Sequence, residues 1–367
     1  MNGRYGQARV VAAVLILGGL TLAGAWSLEP ALAGSKVEPP SRNSPDEPIA
    51  ASPSLARAAE FLDAVALDWT RTRQCGTCHT NYAYLMARPA LREFEGTAMA
   101  EIRQFFEGRV AHWDDANPSS RPRWDTEVVA TASALAINDA ATTGTLHPTT
   151  RAALDRMWTL QRPDGSWDWL KCDWPPYEYD DYYGALFAAL GVGAAPDGYA
   201  RTEAARQGLE RLRGFFRTNE PPNLHHATFQ LWASQRLEGV MTRSQKERTV
   251  ERLIALQRPD GGWSLPSLGQ WDRRDGTPND ASAPSDGYAT GLVVFVLRQT
   301  GLSAQDDPIR RGVTWLRTNQ RASGRWFTRS LNNDKAHYIA NAGTGFAVLA
   351  LKSCDPAGAA REKAPPE

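Results

Sequence analysis

One short phrase occurs three times in this chain: Gln161-Arg-Pro-Asp-Gly165-Ser-Trp167, Gln257-Arg-Pro-Asp-Gly261-Gly-Trp263 and Gln320-Arg-Ala-Ser-Gly324-Arg-Trp326. Each copy follows an amphipathic helical pattern (Ala152 to Leu160, Val250 to Leu256, Ile309 to Leu316). After each, at a variable distance, comes a small-residue apolar helical pattern, such as Tyr183 to Leu190 or Ala289 to Leu297. Two periods of helix flanking one Gly-Trp turn define a repeat unit, and a repeat of this length must stack on its neighbours to bury both faces.

Reading outward from the three copies adds degenerate units: Arg206 to Thr218 with His225 to Leu237, Glu93 to Val110 with Thr126 to Ile137, and Leu55 to Trp69 with Tyr82 to Leu91. Six helix pairs result. They can stack as an open solenoid or close into a ring. The second helix of each pair is apolar nearly all round and rich in Ala and Gly, as a helix with neighbours on most sides must be. The expected fold is therefore all-α, a single (α/α)6 toroid of six inner and six outer helices spanning 55–352.

The phrase, with Arg311-Gly312, Trp315-Leu316 and Gln320 in its last copy, resembles the QW motif of squalene-hopene and oxidosqualene cyclases. It also resembles the repeats of the wider terpenoid-cyclase and protein-prenyltransferase superfamily, whose domains are toroids of this kind. The likeness runs from about Leu55 to Leu351. It implies that the Gln ties a helix end and that Trp167, Trp263 and Trp326 are stacking clamps. That gives an architectural cause for part of the excess of Trp, 13 residues against 10 Tyr and 11 Phe.

If each inner helix starts just after its turn, six helix N-termini share one mouth, and residues distant in sequence become neighbours there. They are Cys75, Cys78 and His79; Asp125 and Glu127; Glu178, Asp180 and Asp181; His225 and His226; Asp286 and Tyr288; Lys335, His337 and Tyr338. Asp125, Asp181 and Asp286 also suit helix caps, since the first turn favours acidic side chains. Cys75-Gly-Thr-Cys78-His79 matches the C-x-x-C-H signal for haem c, in which two thiols add to the porphyrin vinyl groups and the His ligates iron from the proximal side. Met86, His225, His226 and His337 are candidates for a distal ligand. Zinc, a disulfide or free thiols are the competing readings of the same motif. Cys172 and Cys354 either pair or stay free.

The cyclase resemblance adds a second chemistry. Glu178-Tyr179-Asp180-Asp181 is similar to the D-x-D-D stretch of squalene-hopene cyclases, which implies Asp180 as the general acid that protonates an alkene, with Glu178 and Asp181 around it. Clustered carboxyls in a desolvated mouth cannot all ionise, so one keeps its proton. The stretch departs from the family in its Glu178 and in the Tyr182-Tyr183 that follows. The prenyltransferase likeness implies zinc held by Asp, Cys and His, for which Asp168, Cys172 or Asp173, and His337 form only a loose imitation. The loop from Gln270 to Pro278 is an insertion at the mouth, either a lid or a plain surface loop.

The chain carries 41 basic and 41 acidic residues, a balance that excludes nucleic acid as a broadly electrostatic partner. Arg4 and Arg9, the apolar run Val10 to Ala25 and the Ala31-Leu32-Ala33 step before Gly34 make residues 1–33 a secretory signal, or an anchor retained through 10–25. Either places the protein outside the cytoplasm, periplasmic or otherwise extracytoplasmic. Residues 34–54, rich in Pro and Ser, are expected to form a flexible tether and 353–367 a loose tail. Three functions follow. The first is a haem-dependent oxidoreductase with an apolar, isoprenoid-like ligand in the lumen and an electron-transfer partner. The second is a class II terpenoid cyclase using Asp180, and the third a binding scaffold without chemistry.

Overall fold

The computed structural model describes residues 41–117, 119, 121–335 and 338–355; the expected signal at 1–33 and most of the tail lie outside these residues. Among the described residues there are twelve α-helices and only isolated β-bridges. The first six are α1 (Leu55–Arg73), α2 (Asn81–Ala87), α3 (Ala98–His112), α4 (Trp124–Thr142), α5 (Pro148–Thr159) and α6 (Tyr182–Ala194). They are followed by α7 (Glu203–Thr218), α8 (Leu224–Ala233), α9 (Arg243–Ala255), α10 (Gly287–Gln299), α11 (Asp307–Thr318) and α12 (Ile339–Ser353). All six expected pairs are present.

The even-numbered helices form the inner layer. Each packs on the next, from α2 through α12, and α12 returns to α2, so the ring is closed. Burial follows from that position: every residue of α8 is buried, as is the run Thr126 to Asp139 of α4. Outer helices such as α7 and α11 bury one stripe only (Leu209, Leu212 and Phe216; Ile309, Val313 and Leu316).

The repeated phrase builds the same joint three times. The indoles of Trp167, Trp263 and Trp326 are fully buried, and each donates to a carbonyl on the preceding outer helix, Met157 at 2.9 Å, Leu253 at 2.7 Å and Leu316 at 2.8 Å. Each Gln amide bridges its own turn to the outer element of the following pair. Gln161 reaches Gly165 and Gly208, Gln257 reaches Gly261 and Pro308, and Gln320 reaches Gly324 and Ser54. Gly165, Gly261 and Gly324 have φ near +92°, and a Cβ on them would lie 2.2, 2.8 and 2.2 Å from the carbonyl oxygens of Arg211, Arg311 and Arg57. Only glycine meets both demands.

One expectation is corrected. Residues 41–54 are not a free tether, because they lie docked along the sixth unit. Ala50 donates to the Gln320 carbonyl, Ala322 to that of Pro48, and the buried Asn43 amide to that of Thr328. Glu47 pairs with the buried Arg325 at 3.0 Å, and the Arg325 guanidinium lies 4.9 Å from the Phe61 ring. Pro and Ser here solvate an extended segment whose polar backbone is satisfied by its neighbour.

Candidate functional site

The Cys75-x-x-Cys78-His79 motif occupies the α1–α2 connection, at the end of the toroid where the inner helices begin. Its shape is fixed by neighbours. Gln74 ends α1 in the left-handed region (φ 51°), and the fully buried Asn81 accepts from Thr77 N–H and donates to the Cys75 carbonyl. A Cβ at Gly76 would fall 2.1 Å from the Tyr82 hydroxyl oxygen, so the residue between the cysteines must be small.

Cys75, Cys78 and His79 line one cavity of about 480 Å³, together with Cys172, Trp174, Glu178 and Tyr338. Arg73 and Arg123 stand in its wall. The His79 ring sits edge-on to Tyr177 and Trp174, with centroids at 5.4 and 6.4 Å. It is 4% exposed, and neither ring nitrogen bonds another side chain. Burial holds the imidazole below its ordinary pKa, against the charge of Glu178 and the backbone of Trp174, so it is neutral.

Burial pushes the Cys78 thiol well up. Cys172 donates to Glu178 Oε2 at 2.8 Å, and burial, with that carboxylate, pushes its thiol up to about 12. All four cysteines are free thiols. Cys172 is at this mouth, whereas Cys354 caps the far end of α12, so they do not pair. Among the described residues no three His, Cys, Asp or Glu side chains stand close enough to hold a bare metal ion.

Three of the four distal-ligand candidates, Met86, His225 and His226, are not brought to this cavity. Met86 lies at the opposite mouth. His225 uses both nitrogens, Nδ1 with the Tyr183 hydroxyl and Nε2 with the Tyr288 hydroxyl, each at 2.8 Å. His226 is bound to Asn223 and Asp180. His337 is outside the described residues.

The acidic stretch is separated rather than clustered. Glu178 faces Cys172. Burial works against ionisation of Asp181, yet Lys171 at 2.5 Å, the Trp169 N–H and Arg162 hold its carboxyl below the ordinary range. Asp180 accepts from the Tyr182 N–H and meets His226 Nε2 at 3.0 Å. Asn223 Oδ1 accepts the backbone N–H of His226 and faces its Nδ1 at 2.8 Å, so Nδ1 carries hydrogen. Asp180 has a His as its hydrogen-bonding partner, not the carboxyls beside it in sequence.

Two other acids of the predicted mouth are structural. Glu127 accepts from Arg109, Trp113 and the Arg123 N–H. Asp286 caps α10, accepting from the Ala289 and Leu265 amides, and burial raises it to about 6. The inserted loop packs down at this mouth. Arg274 reaches the Cys172 carbonyl at 2.6 Å, Asn332 bonds the Asp173 carbonyl, and Trp271 is buried edge-on to His225.

Beneath this loop the lumen is plugged. The Tyr177 hydroxyl meets that of Tyr288 at 2.5 Å, continuing the chain through His225 to Tyr183, and Phe346 packs below Tyr288 at 5.3 Å. Beyond this plug the lumen opens at the other end as a cavity of about 800 Å³. Every inner helix contributes an apolar residue to it: Met86, Ile137, Leu190, Trp232, Phe295 and Leu349. Nothing in the sequence set Tyr177 apart, and Cys172 stood out only as a partner for Cys354 or a loose zinc ligand, because both sit in a loop without period and their neighbours come from other units.

No family model and no curated protein matches the chain. Among solved structures it is similar to a protein from Actinoplanes, with TM-score 0.47 and 12% identity over 82% of this chain and 99% of that one. It is also similar to a type II terpene cyclase from Scytonema in complex with merosterolic acid A, with TM-score 0.48 and 11% identity over 82% of this chain and 96% of that one.

Proposed function

We propose that this toroid is an exported redox protein carrying haem c on Cys75 and Cys78, with His79 as the proximal iron ligand. The observation that carries the reading is the buried, neutral His79, its nitrogens bonded to no other side chain, in one cavity with the two thiols. Thioether formation balances without an oxidant: each S–H adds across a vinyl group, sulfur to one carbon and hydrogen to the other. When bound, the haem supplies one-electron chemistry at iron. The chain does the rest: Trp174 and Tyr177 fix the His79 ring, Arg73 and Arg123 offer charge for the porphyrin carboxylates, and Arg274 ties down the loop that carries Cys172. Attachment of this kind takes place outside the cytoplasm, in keeping with 1–33 as a signal or anchor. Among the described residues no helix is long and apolar enough to cross a membrane. An apolar ligand occupies the well at the far mouth, and an electron-transfer partner meets the haem mouth.

The test is production in an export-competent host with haem-attachment machinery. A pyridine haemochrome band and the matching gain in protein mass are expected, and both are lost in Cys75→Ser/Cys78→Ser. A colourless, haem-free wild type overturns the reading, and zinc bound stoichiometrically in its place would assign the motif to that metal.

A class II cyclase reading has one observation in its favour, the pairing of Asp180 with His226 Nε2 at 3.0 Å. Incubation with squalene or shorter polyprenes tests it. Cyclic products that vanish in Asp180→Asn support it, and products unchanged in that variant remove Asp180 from the acid role.

A further inference from the structure

A third cavity, of about 820 Å³, shares no residue with the Cys75 cavity or the apolar well. Its wall is made by the turn of the fifth unit, the loop before α10, the turn of the sixth unit and the docked segment at 42–45. Among the described residues no Leu, Ile, Val or Met lines it, and its apolar surface comes from the rings of Trp315 and Phe327 with three prolines and one alanine. A hydrocarbon chain has no bed here.

The hydrogen-bonding groups left over are neutral. Asn43 donates through Nδ2 to the Thr328 carbonyl at 3.1 Å, Asn279 to those of Trp271 and Leu331 at 2.7 and 3.0 Å, and Asn319 to that of Trp315 at 2.9 Å. Each carboxamide nitrogen is thereby fixed on a carbonyl, which leaves each Oδ1 as an acceptor with no donor among the described residues. Asn43 is 7% exposed and Ser264 0%, and Asn43 Oδ1 and Ser264 Oγ are buried without a partner. The charges of the wall, by contrast, are answered within the protein. Asp334 takes two bonds from Arg329, Asp280 accepts from Ser282, Asp260 accepts from Gly262, Ser285 and Trp315, and Asp286 caps α10. The other two guanidiniums, Arg42 and Arg321, reach the carbonyls of Asp334 and Glu47.

We infer that this cavity is a binding site for a short neutral carbohydrate. A ligand that fits must donate to amide oxygens, pair with a serine hydroxyl and lay an apolar face on an aromatic ring. Sugar hydroxyls do the first two, and ring C–H groups meet the negative face of the aromatic ring. A cation would stand against three guanidiniums and an anion against four aspartates, whereas a neutral ligand meets neither cost. The volume is that of a site enclosing a small organic ligand. The inference is independent of the haem reading, whose residues line another cavity.

The experiment is isothermal titration of the full chain with cellotetraose, maltotetraose, xylotetraose and chitotetraose, with spermidine and citrate as cationic and anionic controls. At least one sugar is expected to bind saturably. Ser264→Ala removes a hydroxyl that bonds nothing in the protein, so Tm should hold while affinity falls about fivefold. Phe327→Ala, which takes a half-buried ring from the wall, should lower affinity about tenfold or more. Binding by none of the four sugars overturns the inference. So does a sugar held equally by the wild type and both variants, and so does tighter binding of spermidine or citrate than of any sugar.

Discussion

Gln320 holds Ser54 by both of its amide groups: Oε1 accepts the Ser54 N–H at 2.6 Å and Nε2 donates to the Ser54 carbonyl at 2.9 Å. Ser54 is also the N-cap of α1, its hydroxyl accepting from Arg57 N–H. A single side chain thus joins the last repeat to the first helix, 266 residues away, in the position where Gln161 and Gln257 join neighbouring units. The ring closes with the same joint that builds it.

Gln320→Ala removes that joint and leaves backbone groups of Ser54 and Gly324 short of partners. A destabilisation of about 1–3 kcal/mol is expected from unpaired buried groups. Chemical denaturation measures it. Gln161→Ala serves as the comparison, and a smaller loss at 320 than at 161 would show that the terminal contact is not what closes the ring.

Glu47→Gln tests the docked N-terminal segment. Arg325 is 3% exposed at its side chain and Glu47 12%, so the variant leaves a guanidinium without its carboxylate in a place of low dielectric. Breaking a buried pair from one side costs about 3–5 kcal/mol. A chain beginning after residue 53 should lose at least as much. A loss within error of zero for both would return 41–53 to the role of a free tether.

The repeat made the helix pairs and the ring legible, because a joint as specific as Gln-x3-Gly-x-Trp has to be satisfied in every copy. Asp286 was equally legible as a cap, since the need of a helix start for an acceptor is local. The site was legible only where it is contiguous. Cys75, Cys78 and His79 announce themselves by spacing, whereas Cys172 enters the same cavity through a loop whose path depends on Arg274 and Asn332 from other units. Glu178, Asp180 and Asp181 are neighbours in sequence that tertiary packing sends to three different partners, a thiol, an imidazole and two cations.

Asp286 gives a pH dependence of definite sign. Burial raises its folded value to about 6 from 3.8. The stability it contributes is complete below about 3.8 and is lost as the pH rises through 6, a change of about 3 kcal/mol. In Asp286→Asn that change is absent. The stability of the variant relative to the wild type should therefore increase between pH 4 and pH 7, on top of a constant offset from the altered cap. A difference that is flat with pH over that window removes Asp286 from the account.

The apolar well at the far mouth has Trp232 in its wall, which supplies a direct signal. A long-chain apolar probe such as a fluorescent polyene should quench Trp232 emission saturably. Ala194→Phe, which fills part of the well from α6, should weaken binding about tenfold or more by steric exclusion. Quenching that persists unchanged in Ala194→Phe but is absent from Trp232→Phe would place the probe near Trp232 yet outside the well.

His79→Phe separates a ligand residue from a packing residue, because the two roles predict different spectra. In haem-free protein His79 is a buried imidazole between Trp174 and Tyr177 that bonds no other side chain. Replacing it by an apolar ring of similar shape should change the stability of the fold by no more than about 1 kcal/mol, since no side-chain hydrogen bond is lost. In the haem-loaded protein the same change removes the proximal ligand, so the visible spectrum should shift even if both thioethers form. A core histidine with no ligand to hold has no reason to show that shift: His79→Phe would then move the stability of both preparations alike and leave the spectrum unchanged.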